Sequence, residues 1–120
     1  MVLVDTSVWV DHLRRNIPLL ADTLEAGEVV THPFVIGELA CGNLANRREI
    51  LRLISSLPHV PVATHAEALH LIESCRLQGR GIGWIDVHLL CSSRLAGVSL
   101  WTGDRKLQAA AQALRLARRT

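Results

Sequence analysis

A chain of 120 residues, 49% of them hydrophobic and 20% charged, can bury one core without disulfides or a structural metal, and its evenly mixed charges exclude a disordered protein. The net charge of +2 is too mild to name a nucleic-acid partner on its own. Cys41, Cys75 and Cys91 are odd in number and widely spaced, with no CxxC or CxxH pair, which excludes a disulfide framework and a zinc finger.

All three cysteines lie in apolar stretches and read as small buried hydrophobes, in keeping with a reducing compartment. The start, Met1 to Asp5, lacks the basic leader and apolar run of a signal peptide. No stretch approaches the roughly 20 uninterrupted apolar residues of a membrane helix. The expectation is a soluble cytoplasmic protein forming a single domain over residues 1–120. Of the 13 basic residues only Lys106 is lysine. Arginine suits bidentate phosphate contact, but a GC-rich coding sequence is the better explanation of the preference.

In chain order, Val2 to Val4 is a short strand ending at Asp5. Thr6 or Ser7 then caps a helix to about Leu13. Pro18 opens a second helix that stops at Gly27, and Val29 to Thr31 is a second strand. Pro33 starts a third helix, ending near Gly42, and Arg47 to Leu57 is a fourth. Val60 to Ala63 reads as a third strand, after which Thr64 caps a helix to about Gln78. The glycine-rich loop Gly79 to Gly83 leads into a helix over Trp84–Ala96, stopped by Gly97. Val98 to Thr102 is a fourth strand, Asp104 begins the last helix, and Leu114 to Ala117 is a short edge strand. Strands separated by helices imply an α/β fold, a parallel sheet of about 4–5 strands with helices on both faces.

The 11 acidic residues fall into two groups. Asp11, Glu49 and Glu73 each precede arginine by about one helical turn, while Asp22, Glu25, Glu28 and Glu67 lie on polar faces or beside turns. These are solvated surface charges. Asp5, Glu38, Asp86 and Asp104 instead sit in apolar surroundings, where an unpaired carboxylate costs several kcal/mol. Asp5 and Asp104 fall at the C-terminal ends of predicted parallel strands, where open α/β sheets bind ligands. Asp104 also reads well as a plain helix cap. Two carboxylates about 5 Å apart repel by roughly 3 kcal/mol at an effective dielectric near 20. A divalent cation relieves that repulsion, and an oxygen-only donor set selects Mg2+ or Mn2+ over zinc.

Four segments carry a resemblance: Val4-Asp5-Thr6-Ser7-Val8-Trp9, Val35-Ile36-Gly37-Glu38-Leu39, Gly81 to Leu90 with Trp84-Ile85-Asp86 at its centre, and Leu100-Trp101-Thr102-Gly103-Asp104-Arg105-Lys106-Leu107. Together, and in this order, they resemble the PIN domain, closely so the toxin halves of bacterial toxin–antitoxin pairs of the VapC type. The resemblance implies a Mg2+-dependent endoribonuclease. Asp5, Glu38, Asp86 and Asp104 match the family's catalytic acids; Asp5, Asp86 and Asp104 would ligate metal, and Glu38 would ligate or position the attacking water. Thr6 or Ser7 and Thr102 match the hydroxyls that orient those acids. It further implies RNA as substrate, a homodimer, and a small antitoxin docked on the exposed part of the apolar stripe from Trp9 to Leu24.

Arg80, Arg105 and Lys106 flank the acids as candidate phosphate contacts or as plain surface charge. His88 reads as packed or at the surface rather than as a general base. Trp9, Trp84 and Trp101 read as core before base-stacking platforms. The glycine loop lacks GK[ST] and GxGxxG, so its expected role is a tight entry that aims Asp86. Arg115, Arg118 and Arg119 form a basic tail. Receiver domains are excluded by the absence of an acidic pair after the first strand, and haloacid-dehalogenase phosphatases by Asp5-Thr6-Ser7 in place of Asp-x-Asp. The remaining alternatives are a non-catalytic PIN-like module that reaches DNA through a protein partner, or a solitary RNA-processing nuclease.

Overall fold

The computed structural model describes residues 1–118. Three strands, β1 (Val2–Val4), β2 (Val29–Val30) and β3 (Ser99–Trp101), form a parallel sheet in the order β2-β1-β3. The register pairs Leu3 with Val30 on one side and with Leu100 on the other. Central β1 is buried along its whole length, as a parallel strand covered by helices must be. The chain runs from β1 to one neighbour and later crosses to the other. The direction therefore reverses at β1, and a crevice opens at the C-terminal ends of β1 and β3.

Helices α1 (Thr6–Arg15) and α2 (Pro18–Glu25) connect β1 to β2. Four more, α3 (Pro33–Cys41), α4 (Arg47–Ser55), α5 (His65–Cys75) and α6 (Trp84–Ala96), lie between β2 and β3, and α7 (Arg105–Ala113) follows. Proline at the first turn of α2 and α3, the Thr64–Glu67 capping box of α5 and left-handed Gly97 after α6 set these limits. The core centres on Leu3, Leu20, Leu39, Leu89, Leu90, Leu100 and Leu107, all fully buried. Among the described residues no helix is long and apolar enough to cross a membrane.

Two expected strands, Val60 to Ala63 and the edge strand Leu114 to Ala117, shrink to single parallel bridges, Thr31 with His59 and Leu100 with Ala117. The first lies before Val60–Ala63: the Thr31 N–H donates to Pro58 O at 2.8 Å and the Val60 N–H donates to Thr31 O at 2.9 Å. Pro61 has no N–H with which to extend that ladder. At the other edge the backbone turns through left-handed Arg115 before it meets Leu100, so only the end of the expected strand pairs. The cysteines also differ from expectation, with Cys91 buried, Cys75 half-buried and Cys41 exposed. Arg118 stacks 3.9 Å above the Trp101 ring, and Arg119 lies outside the described residues.

Candidate active site

Asp5 leaves β1 still paired, its N–H donating to Trp101 O at 2.9 Å. It is 8% exposed and is itself the N-cap of α1, in place of Thr6 or Ser7. Its Oδ1 accepts the Thr6 N–H at 2.8 Å, and its Oδ2 accepts the hydroxyls of Ser7 (3.1 Å) and Thr102 (2.7 Å). The relay continues. Gly103 N–H donates to Ser7 Oγ and Asp104 N–H to Thr102 Oγ1, both at 3.0 Å. Each hydroxyl thus donates to the acid and accepts from the β3–α7 turn, locking the ends of β1 and β3 together. Thr6 contributes only its main chain, and its buried Oγ1 has no partner among the described residues.

Asp104 caps α7, its Oδ1 accepting the N–H groups of Lys106 (2.9 Å) and Leu107 (3.0 Å). Asp86, in the first turn of α6, closes that end from inside: the N–H of Gly83, the N-cap, donates to its Oδ2 at 3.0 Å. The glycine loop, with left-handed Gly79 and Gly81, delivers that N–H to the acid. One oxygen of Asp86 and one of Asp104 remain without a hydrogen bond among the described residues. Glu38, turned outward on α3, is exposed, as is Asp104, and Asp86 is half-buried, so of the four acids only Asp5 is buried as its apolar neighbours suggested.

Loss of water pushes the Glu38 carboxyl above its usual range, and the charges of Asp5 and Asp86 push it further. Asp86 is also raised, first by burial and then by Asp5 and Asp104, against the opposing pull of the Gly83 N–H. These couplings link acids from four segments of the chain at one sheet edge. Among the described residues no three such side chains already enclose a metal site. The donor set, all carboxylate oxygen with several lone pairs free, nevertheless suits a hard divalent cation.

His32 is the feature that sequence reading missed. Fully buried as the N-cap of α3, it accepts the Phe34 N–H on Nδ1 at 2.9 Å, which leaves the proton on Nε2, 3.2 Å from Ser92 Oγ of α6. It ties the helix bearing Glu38 to the helix bearing Asp86. Its place before Pro33, at the N1 position, was the available signal. His88 is buried, its ring packed edge-on between Phe34 and Trp84. Of the tryptophans Trp9 is core and Trp101 half-buried, whereas Trp84 is 39% exposed and so departs from the core reading.

Arg80 is exposed, its Nε donating to Arg76 O at 3.0 Å. Arg105 and Lys106 are exposed in the first turn of α7.

The PIN-domain family profile matches residues 2–113. The chain belongs to the PIN-domain family. It is 47% identical over 111 residues to the protein named Ribonuclease VapC32 in two strains of Mycobacterium tuberculosis, a match covering 92% of this chain and 90% of each relative. The crystal structure of PAE2754 from Pyrobaculum aerophilum superposes with a TM-score of 0.64 over 96% of this chain and 88% of that one. At 19% identity this likeness concerns the fold alone.

Proposed function

We propose that this PIN domain is a metal-dependent endoribonuclease, the toxin of a toxin–antitoxin pair, hydrolysing RNA at the edge formed by Asp5, Glu38, Asp86 and Asp104. The observation that carries the reading is the hydroxyl relay at the C-terminal ends of β1 and β3, in which Ser7 and Thr102 join Asp5 to the turn that bears Asp104; the charge of Asp5 also raises the carboxyls of Glu38 and Asp86. Carboxylates brought from separate segments to the ends of neighbouring strands are what a cation site would draw on. The kinship with a protein named a ribonuclease supplies the reaction class.

Asp5, Asp86 and Asp104 would hold Mg2+ or Mn2+. When bound, such an ion stabilises charge on the phosphorane oxygens and acidifies water. The chain's own residues do the positioning. Ser7 and Thr102 orient Asp5, Gly83 N–H orients Asp86, and the start of α7 fixes Asp104. Glu38, with its raised proton affinity, is suited to take a proton from the attacking water on a carboxylate oxygen. Arg105 and Lys106 are the candidate phosphate contacts at this edge; Arg80 is a weaker one.

A small antitoxin would lie in the apolar groove of about 350 Å3 where Trp9, His12, Leu13 and Leu24 face Ile50 and Leu53 of α4. A homodimer in the cytoplasm completes the reading. A small reading frame directly upstream of the gene is expected, and its absence would favour a solitary RNA-processing nuclease. The direct test incubates the purified chain with total cellular RNA and maps the cuts. Discrete cleavage is expected with Mg2+ or Mn2+ and none with chelator. Undiminished cutting by a well-folded Asp5→Ala variant overturns the proposal.

A further inference from the structure

The only lysine of the chain is laid across the glycine loop. A methyl group placed on Gly81 would stand 2.6 Å from Lys106 Cδ and 2.9 Å from its Nζ. Gly81 also has φ +76°, so any side chain there would strain the backbone as well as displace the lysine. The Lys106 main chain is anchored too, its N–H bonded to Asp104 Oδ1 at 2.9 Å. The lysine therefore lies between the residue that caps α7 and the loop whose Gly83 N–H meets Asp86.

The ammonium makes no ion pair among the described residues, where the salt bridges are Arg15–Asp11 and Arg52–Glu49. A compact cation, held at the rim of an acid cluster yet bonded to none of its members, is free to accept a phosphate.

We propose that Gly81 and Lys106 form a backbone clamp, in which glycine leaves the space and lysine contacts one phosphate of a bound RNA strand. This deepens the ribonuclease reading and rests on it. The test measures binding of a fluorescent single-stranded RNA in Ca2+ across a salt series, with cleavage of the same RNA in Mg2+ followed separately and circular dichroism melts confirming folded variants. Lys106→Met is expected to weaken Kd about fivefold and to flatten the slope of log Kd against log salt by about 0.7, one phosphate contact on a single strand. Lys106→Arg should retain the slope. Gly81→Ala should weaken binding in the wild-type background and add nothing further in Lys106→Met, since both act through one contact. Unchanged affinity and slope in Lys106→Met, or additive effects of the two substitutions, would overturn the clamp. Lys106-dependent binding without any Mg2+-dependent cleavage would sink the ribonuclease reading while leaving the clamp standing.

Discussion

The four acids reach one edge of the sheet by two routes. Asp5 and Asp104 follow β1 and β3, so the sheet itself delivers them, and each is satisfied on arrival by hydroxyl or main-chain donors. Glu38 and Asp86 ride on helices, whose separation depends on tertiary packing through the His32–Ser92 contact. Both are pushed up in pKa by lost water and neighbouring charge. The strand-end acids stabilise the fold where they sit. The helix-borne acids sit where ionisation is disfavoured, which the proposed cation site would relieve.

The largest expected effect comes from the strand side. Asp5→Asn keeps an acceptor for the Thr6 N–H but removes the charge, and single-turnover cleavage should fall by about a thousandfold or more. On the helix side, His32→Ala should cost about 3 kcal/mol in urea unfolding, from an emptied buried site and two lost hydrogen bonds. Burial first, then the charges of His88 and His59, lower His32 from 6.5 to about 4. A depressed histidine stabilises the fold fully above pH 6.5, and that contribution, about 3 kcal/mol, is lost as pH falls through 4. Wild-type stability should therefore drop over this window, and in His32→Ala less steeply.

Smaller again is Thr102→Val, which removes the hydroxyl joining Asp5 to Asp104. About 1 kcal/mol of stability and about tenfold in cleavage should go with it. The smallest effect has the opposite sign. An acid raised in pKa destabilises the fold when ionised, so Glu38→Gln and Asp86→Asn should raise Tm by roughly 1–4 °C while cleavage is lost. A fall in Tm for both would erase the contrast between the two routes.

Much of the fold is legible in sequence because helix ends carry local chemistry. Pro18, Pro33, Thr64 and Gly97 mark limits found within a residue or two of expectation, and Trp84–Ala96 coincides with α6. The edge strands are less legible. Pairing there depends on a neighbour far along the chain, and Pro61 shortens one of them. The same division holds at the site. Asp5 and Asp104 can be placed from strand order, whereas the outward turn of Glu38 follows from how α3 packs on α1 and α4, and the bridging role of His32 from its contact with Ser92 of α6. The close fit of Lys106 on Gly81 is likewise a tertiary contact, invisible in local pattern.

The claim that four acids act as one unit is tested most directly by comparing single variants with the quadruple one. Cleavage of one defined RNA in Mg2+ would be measured for Asp5→Asn, Glu38→Gln, Asp86→Asn and Asp104→Asn, and for all four together, each confirmed folded. Groups that act together are strongly non-additive, so each single variant should lie within about tenfold of the quadruple variant. Near wild-type cleavage by any folded single variant, or losses that add from one acid to the next, would contradict a shared site.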